Sequence, residues 1–268
     1  MLLGEPAASR FDLNFSLGPV RVRVTPFFWA AAALLGVNIT QIIAKQPGAP
    51  TAPQLLLIWI AAVFLSILVH EMGHAVVMRL YGISCHVVLY HFGGLAVPED
   101  SFAYFGSRRH TSPMSQIYIS AAGPAAQLLL AAAVILLIRL PGYQLGYSLP
   151  FVDSILPPAA EAPLIPNTAL LLTALFLLLP SIYWALLNLL PVYPLDGGQI
   201  AREVFLLFNV GDGIRHSLIL SIVTGIAVAV FALTSGDQFL AIMFGLLAYS
   251  SYATLQTYLG RGGGGSPW

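Results

Sequence analysis

"SILVHEMGHAVVMRL", residues 66–80, sets two histidines and a glutamate in a run that is otherwise apolar. The run extends back to Gln54, long enough to cross about 30 Å of hydrocarbon as a helix. A charge at mid-bilayer costs at least about 2.5–3.5 kcal/mol on insertion scales, so ionisable groups at that depth point to a function. His70 and His74 are four residues apart and share one helix face, about one turn from each other. Both imidazoles can then reach a single zinc at about 2.0–2.1 Å, and Glu71 is placed to act as general base on a metal-bound water. With 6 histidines in the chain, chance supplies such a motif in roughly one of four hundred chains of this kind.

The surroundings fit a membrane. Of 268 residues, 58% are hydrophobic and 8% charged, with a mean hydropathy of +0.84; soluble domains carry about 25% charge. Six membrane-length runs are predicted: Pro26–Ile43, Gln54–Leu80, Gln116–Leu140, Thr168–Leu190, Ser217–Thr234 and Phe239–Leu259. Residues 11–24 read as a short strand or interfacial lead-in. "CHVVLYHFGG", between the second and third runs, has strand composition. The predicted fold class is therefore an all-α polytopic membrane protein of about six transmembrane helices, with a small strand-like hairpin after the second span. Residues 1–25 form the N-terminal lead-in, 26–259 one six-span domain, and 260–268 ("GRGGGGSPW") a flexible tail. The first 24 residues hold no apolar core of signal-peptide length, so no cleavage is expected. Zero net charge and no basic cluster exclude nucleic acid as a partner.

Basic residues orient the chain. With the N-terminus inside, Arg10, Arg21, Arg23, Arg79, Arg108, Arg109, Arg202, Arg215 and Arg261 are cytoplasmic, and only Lys45 and Arg139 lie outside. A multi-pass cell-membrane protein with both termini cytoplasmic follows, its His-Glu-x-x-His on the inward half of the second span.

A catalytic zinc wants a third protein ligand and an open position. The best candidate is Asp196, in "NLLPVYPLDGGQI" (188–200), after a fourth span without charge. Pro191 and Pro194 break the helix there, and Gly197 and Gly198 permit unusual backbone. Irregular backbone at membrane depth is tolerated where it is buried in protein or lines a cavity. Read alone, "PLDGG" is equally an ordinary interfacial turn with a solvated aspartate.

"HEMGH" followed about 120 residues on by "NLLPVYPLDGG" resembles the site-2 protease family of intramembrane zinc metalloproteases. "FGG" at 92–94 and "AAGPAAQ" at 121–127 are similar to the family as well, and the likeness covers about residues 15–210. The resemblance implies one Zn2+ per chain held by His70, His74 and Asp196, Glu71 as the base, and Asn188 steadying the substrate carbonyl or oxyanion. One departure from larger members is that no PDZ-like insert and no CBS pair is read in the sequence, so a compact member is expected, with loops or partners selecting the substrate. The implied activity is regulated intramembrane proteolysis: hydrolysis of peptide bonds within the membrane helices of protein substrates, in the lipid bilayer, after prior trimming or with a short outer domain. The segment around Leu89–Gly94 is expected to pair with the unwound substrate by strand addition.

Two rivals frame this reading. A metal or proton transporter or channel would use the His/Asp cluster, yet has no need of Glu71 directly after a ligand. A non-catalytic scaffold would not need every catalytic position filled. Of the remaining candidates, His86 and His91 read as surface or interfacial histidines, with His91 the one able to line the site. Cys85 reads as a small inert hydrophobe and Gly123-Pro124 as a packing or kink element. Arg202 and Glu203 are expected on the solvated face of an interfacial helix.

Overall fold

A computed structural model of the chain describes residues 5–91, 93–99, 112–146, 153, 157 and 162–260. The tail at 261–268, Phe92 of "FGG" and the polar stretch 100–111 lie outside the described residues. Among those described, the order is β1 (Leu13–Leu17), β2 (Val20–Val24), α1 (Pro26–Ile43), α2 (Ala52–Leu80), β3 (Cys85–Tyr90), β4 (Gly93–Pro98), α3 (Pro113–Arg139), α4 (Thr168–Asn188), α5 (Asp196–Phe208), α6 (Gly213–Thr234) and α7 (Gln238–Gly260). All of these helices except α5 are long and apolar enough to cross a membrane. They coincide with the six predicted runs to within four residues at their ends.

Contacts divide the chain into two units: Met1–Ala75, Ser84–Glu99 and Ala125–Ala185 in one, Val76–Ile83, Asp100–Pro124 and Leu186–Trp268 in the other. The first unit holds the sheet, whose strands lie in the order β1-β2-β3-β4. The expected hairpin after the second span is β3–β4, paired antiparallel from Cys85↔Pro98 to Tyr90↔Gly93. The N-terminal lead-in is a second hairpin, turning at Gly18 with a φ of 57°. Strand β2 joins the two hairpins by pairing parallel to β3, with Arg21 opposite His86. Its sequence, "VRVRV", alternates as a half-buried strand should: Val20, Val22 and Val24 are buried, while Arg21 reaches Glu99 at 2.9 Å and Arg23 reaches Asp12 and Glu5. Strand β3 is apolar and buried along almost its whole length, as a central strand is. Leu89 is therefore paired on both sides, and of the expected segment Leu89–Gly94 only Gly93 and Gly94 lie on β4, which is an outer strand among the described residues.

The same unit packs its spans through a small residue. A Cβ on Gly36 would fall within 2.6 Å of the Trp59 indole nitrogen, and that nitrogen donates to the Ala32 carbonyl at 2.9 Å. Glycine at 36 thus lets α1 and α2 approach closely enough for the ring to satisfy its one donor. Cys85 is buried, its Sγ 3.7 Å from the Ala75 carbonyl, in keeping with a small core residue. His86 is partly exposed and meets Glu5 at 3.1 Å.

In the second unit, α6 and α7 form a hairpin about Gly236 (φ 81°), with Gly225 against Ala248 at the crossing. The irregular stretch between α4 and α5 is anchored to this pair. The Tyr193 N–H donates to Ser221 Oγ (3.0 Å), and Ser251 Oγ donates to the Tyr193 carbonyl (3.3 Å). Broken backbone thus finds partners inside protein, as a membrane-depth loop requires. Helix α5 corrects one expectation. Glu203 is buried, not solvated, because the Arg202 guanidinium folds back onto its carboxylate with Nε at 2.8 Å. A carboxylate leaves water only with such a partner.

Candidate metal centre

Helix α2 runs unbroken through "HEMGH", so His70, Glu71 and His74 take the spacing of one helical turn. All three are buried. The His70 and His74 Nε2 atoms face each other at 3.2 Å. Two imidazole nitrogens at zinc-ligand distance around a tetrahedral centre stand about 3.3 Å apart, so the pair has the separation a shared ion needs.

Asp196 is positioned by glycines. It is the first residue of α5, where the helix dipole favours a carboxylate. A Cβ on Gly197 would meet the carbonyls of Leu189 and Leu190, the latter at 2.5 Å; one on Gly198 would meet Tyr193 N and Val192 C at 2.5 Å. The first turn of α5 therefore lies directly on the backbone of residues 189–193, a contact that any side chain at 197 or 198 would break. "PLDGG" is a buried helix start, not a solvated turn. His70, His74 and Asp196, all buried, each offer one ligand atom within 4.8 Å of the others, the arrangement of a metal site. Two imidazole nitrogens and a carboxylate are a donor set that fits zinc, whose catalytic sites take three protein ligands.

Glu71 sits against the sheet. A Cβ on Gly94 would come within 2.6 Å of the Glu71 Cδ and Oε1 atoms, so the carboxylate rests on the backbone of β4 at that glycine. Neighbouring Gly93 (φ 119°) faces the Trp184 ring in the same way. Burial pushes the Tyr90 phenol up to about 12, and the Glu71 charge adds to the shift, so the phenol is protonated at neutral pH. Burial also raises Tyr193, with Arg202 opposing it.

His70 has an outer partner that sequence reasoning passed over. Its Nδ1 lies 2.9 Å from Gln127 Oε1, while Gln127 Nε2 donates to Ser66 Oγ at 2.8 Å and to the Pro180 carbonyl at 3.3 Å. Ser181 Oγ donates to Ser66 Oγ at 2.9 Å. A signal existed in the sequence, since a glutamine in the apolar run of α3 is a polar group that must find a hydrogen-bond partner inside the bundle. Asn188 is the last residue of α4, half-buried, at the point where the backbone turns irregular. His91 is exposed and packs against the Tyr90 and Phe27 rings; among the described residues it is no member of the metal-binding group.

Comparisons with known proteins show the family. Residues 58–232 match the profile described as Peptidase family M50. Rip3 of Mycobacterium tuberculosis, named as a zinc metalloprotease, is 31% identical over 210 residues, covering 75% of this chain and 46% of that protein. Synechocystis sll0528, named likewise, is 28% identical over 192 residues, 70% of this chain and 42% of its own length. The chain thus spans slightly under half the length of the curated relatives it matches. In structure it is similar to the site-2 protease from Methanocaldococcus jannaschii, with a TM-score of 0.51 over 91% of this chain and 94% of that one; at 16% identity this likeness speaks for the fold. With its buried His-Glu-x-x-His, its aspartate at a glycine-built helix start and a profile match over most of its length, the chain belongs to peptidase family M50.

Proposed function

We propose that this multi-pass membrane protein is an intramembrane zinc metalloprotease that cuts peptide bonds within the membrane helices of protein substrates. The observation that carries the reading is the buried group of His70, His74 and Asp196, with Glu71 one residue from a ligand. In this reading His70, His74 and Asp196 hold one zinc ion. Bound zinc supplies the Lewis acid that activates water and polarises the scissile carbonyl. Glu71, held against Gly94, takes a proton from the attacking water and returns it to the leaving amine. The Asn188 amide donates to the carbonyl oxygen as it gains charge. Nothing favours transport: a permeation path has no use for a base seated beside a ligand.

A helical substrate hides its carbonyls in hydrogen bonds and must unwind before it is cut. Among the described residues β4 is an outer strand of the sheet, and its Gly94 lies against the base. An unwound segment adding to β4 over Gly93–Pro98 would run past Glu71 in extended form. The distribution of basic residues supports cytoplasmic termini in a cell membrane, with zinc in the inner half and cuts in the cytoplasmic half of substrates already trimmed or short outside.

The test is a purified chain with a transmembrane substrate in detergent. One zinc per chain, with cleavage abolished by chelation and restored by zinc, is expected. Cleavage that persists without metal, or metal-dependent ion flux without cleavage, would overturn the proposal.

A further inference from the structure

We infer that Gln127 is a positioning residue for the zinc site: it fixes the His70 ring as the Nδ1–H tautomer, leaving the Nε2 lone pair for the metal. The inference rests on the reading above, that His70 is a zinc ligand. It follows from hydrogen-bond arithmetic. The Pro180 carbonyl can only accept, so the Gln127 –NH2 must be the end that faces it at 3.3 Å. The same –NH2 reaches Ser66 Oγ at 2.8 Å, which accepts. The other end of the amide, Oε1, is an acceptor only, and it lies 2.9 Å from His70 Nδ1. That nitrogen must therefore carry a proton, and the neutral ring has its lone pair on Nε2, the atom that faces His74 Nε2.

The anchoring is rigid because it is buried. Gln127, Ser66 and Ser181 are all 0% exposed and His70 is 3% exposed, so no water competes for these bonds. Ser181 Oγ donates to Ser66 Oγ at 2.9 Å, which holds the hydroxyl that holds the amide. The polar line thus runs from α4 through α2 and α3 to the imidazole, and each member has its partner on another helix. Outer partners of this kind orient a ligand ring and raise its basicity.

The experiment measures zinc affinity of the 268-residue chain in detergent by competition with a zinc-chelating indicator, alongside the melting temperature of the zinc-free protein. Gln127→Met keeps length and volume but removes both ends of the amide, with its bonds to Ser66 and the Pro180 carbonyl; it is expected to weaken zinc about 10- to 100-fold while lowering the zinc-free melting temperature less than Gln127→Glu does. Gln127→Glu keeps an acceptor toward His70 Nδ1 but buries a charge. It is expected to stay within about 3-fold of wild-type affinity while lowering the melting temperature. Affinity and stability then rank the two variants in opposite orders, which a packing role would not produce. Nitrogen-15 NMR of the zinc-free wild-type chain, with the His70 signal assigned by its loss in His70→Asn, is expected to report a protonated Nδ1. It decides the matter even where a variant does not fold.

Wild-type affinity in Gln127→Met, or a His70 ring protonated at Nε2, overturns the inference. If His70→Asn loses zinc while Gln127→Met retains it, this inference alone fails. If His70→Asn itself binds zinc like wild type, the metal site proposed above fails and this inference falls with it.

Discussion

Gly94→Ala tests the seating of the proposed base without touching any proposed ligand. The added Cβ would stand within 2.6 Å of the Glu71 Cδ and Oε1 atoms, against an ordinary carbon contact of about 3.5–4.0 Å. Either the carboxylate or strand β4 must give way by about 1 Å. The strand is paired to β3 along its length, through Leu89↔Gly94 and its neighbours, so the side chain is the softer partner. A misplacement of about 1 Å at a catalytic group costs about 100-fold, near 2.7 kcal/mol in the barrier. Overpacking in a tight interior adds about 1–3 kcal/mol of destabilisation. The expected outcome is a fall of about two decades in kcat/KM for a transmembrane substrate, with zinc content near one per chain, because Glu71 is not a ligand in the proposed scheme. The assay pairs initial cleavage rates in detergent with metal analysis of the same preparation. Activity within about 3-fold of wild type would refute the argument, since it would mean that the carboxylate need not rest on β4. Loss of zinc in parallel with loss of rate would refute it differently, by showing that the glycine supports the metal.

Glu71→Gln is expected to lower cleavage by at least about 100-fold with zinc still bound, read by the same two measurements. Asp196→Asn is expected to lose zinc and rate together, because an amide is a poor substitute for a carboxylate ligand; wild-type metal content in this variant would remove Asp196 from the ligand set. Gly198→Ala drives a Cβ into Tyr193 N and Val192 C at 2.5 Å, backbone atoms that cannot rotate away; a lowered melting temperature and incomplete zinc loading should follow, and unchanged values would contradict the packing described for α5. Sidedness needs introduced thiols, because Cys85 is buried. In a Cys85→Ala background, an impermeant reagent should label exposed Gln46→Cys in intact cells and exposed Val210→Cys only after permeabilisation, and the reverse pattern would invert the topology.

The spans were legible because lipid demands long apolar runs, and that demand leaves Pro26–Ile43 and Thr168–Asn188 without a single charged residue. His70, His74 and Glu71 were legible for the complementary reason, that such groups are costly in those runs. The joining of the two hairpins was not. Period-2 alternation marks "VRVRV" as a strand but says nothing of its neighbour, and the partner of Arg21 is His86, beyond two membrane helices. The error about Glu203 has a similar root. An Arg-Glu pair reads as solvated on composition, and only the fold reveals that the guanidinium has closed over a buried carboxylate. Gly94 was visible only within "FGG" and the strand-like segment, and its contact with Glu71 depends on the sheet meeting α2, which no local pattern encodes.

The polar line behind His70 also bears on how the spans find one another. Lipid tails are as apolar as leucine, so burying Leu172 or Phe176 does little to select one helix partner over another. The exposed surface reflects this: Leu34, Leu57, Leu129 and Leu137 all face outward. A glutamine or serine in a span is different, because away from its partner it leaves an unsatisfied group in hydrocarbon. Gln127 on α3 meets Ser66 on α2 and the Pro180 carbonyl on α4, and Ser181 on α4 meets the same Ser66. Each such bond between helices contributes about 0.6–2 kcal/mol. The sum is modest, but it discriminates, since sliding any one of the three helices by one turn breaks two of the three contacts. The packing of α2, α3 and α4 and the presentation of the His70 ring are therefore specified by the same few atoms. A substitution that loosens the helices at Ser66 or Ser181 should loosen the ring as well, even though neither serine touches it.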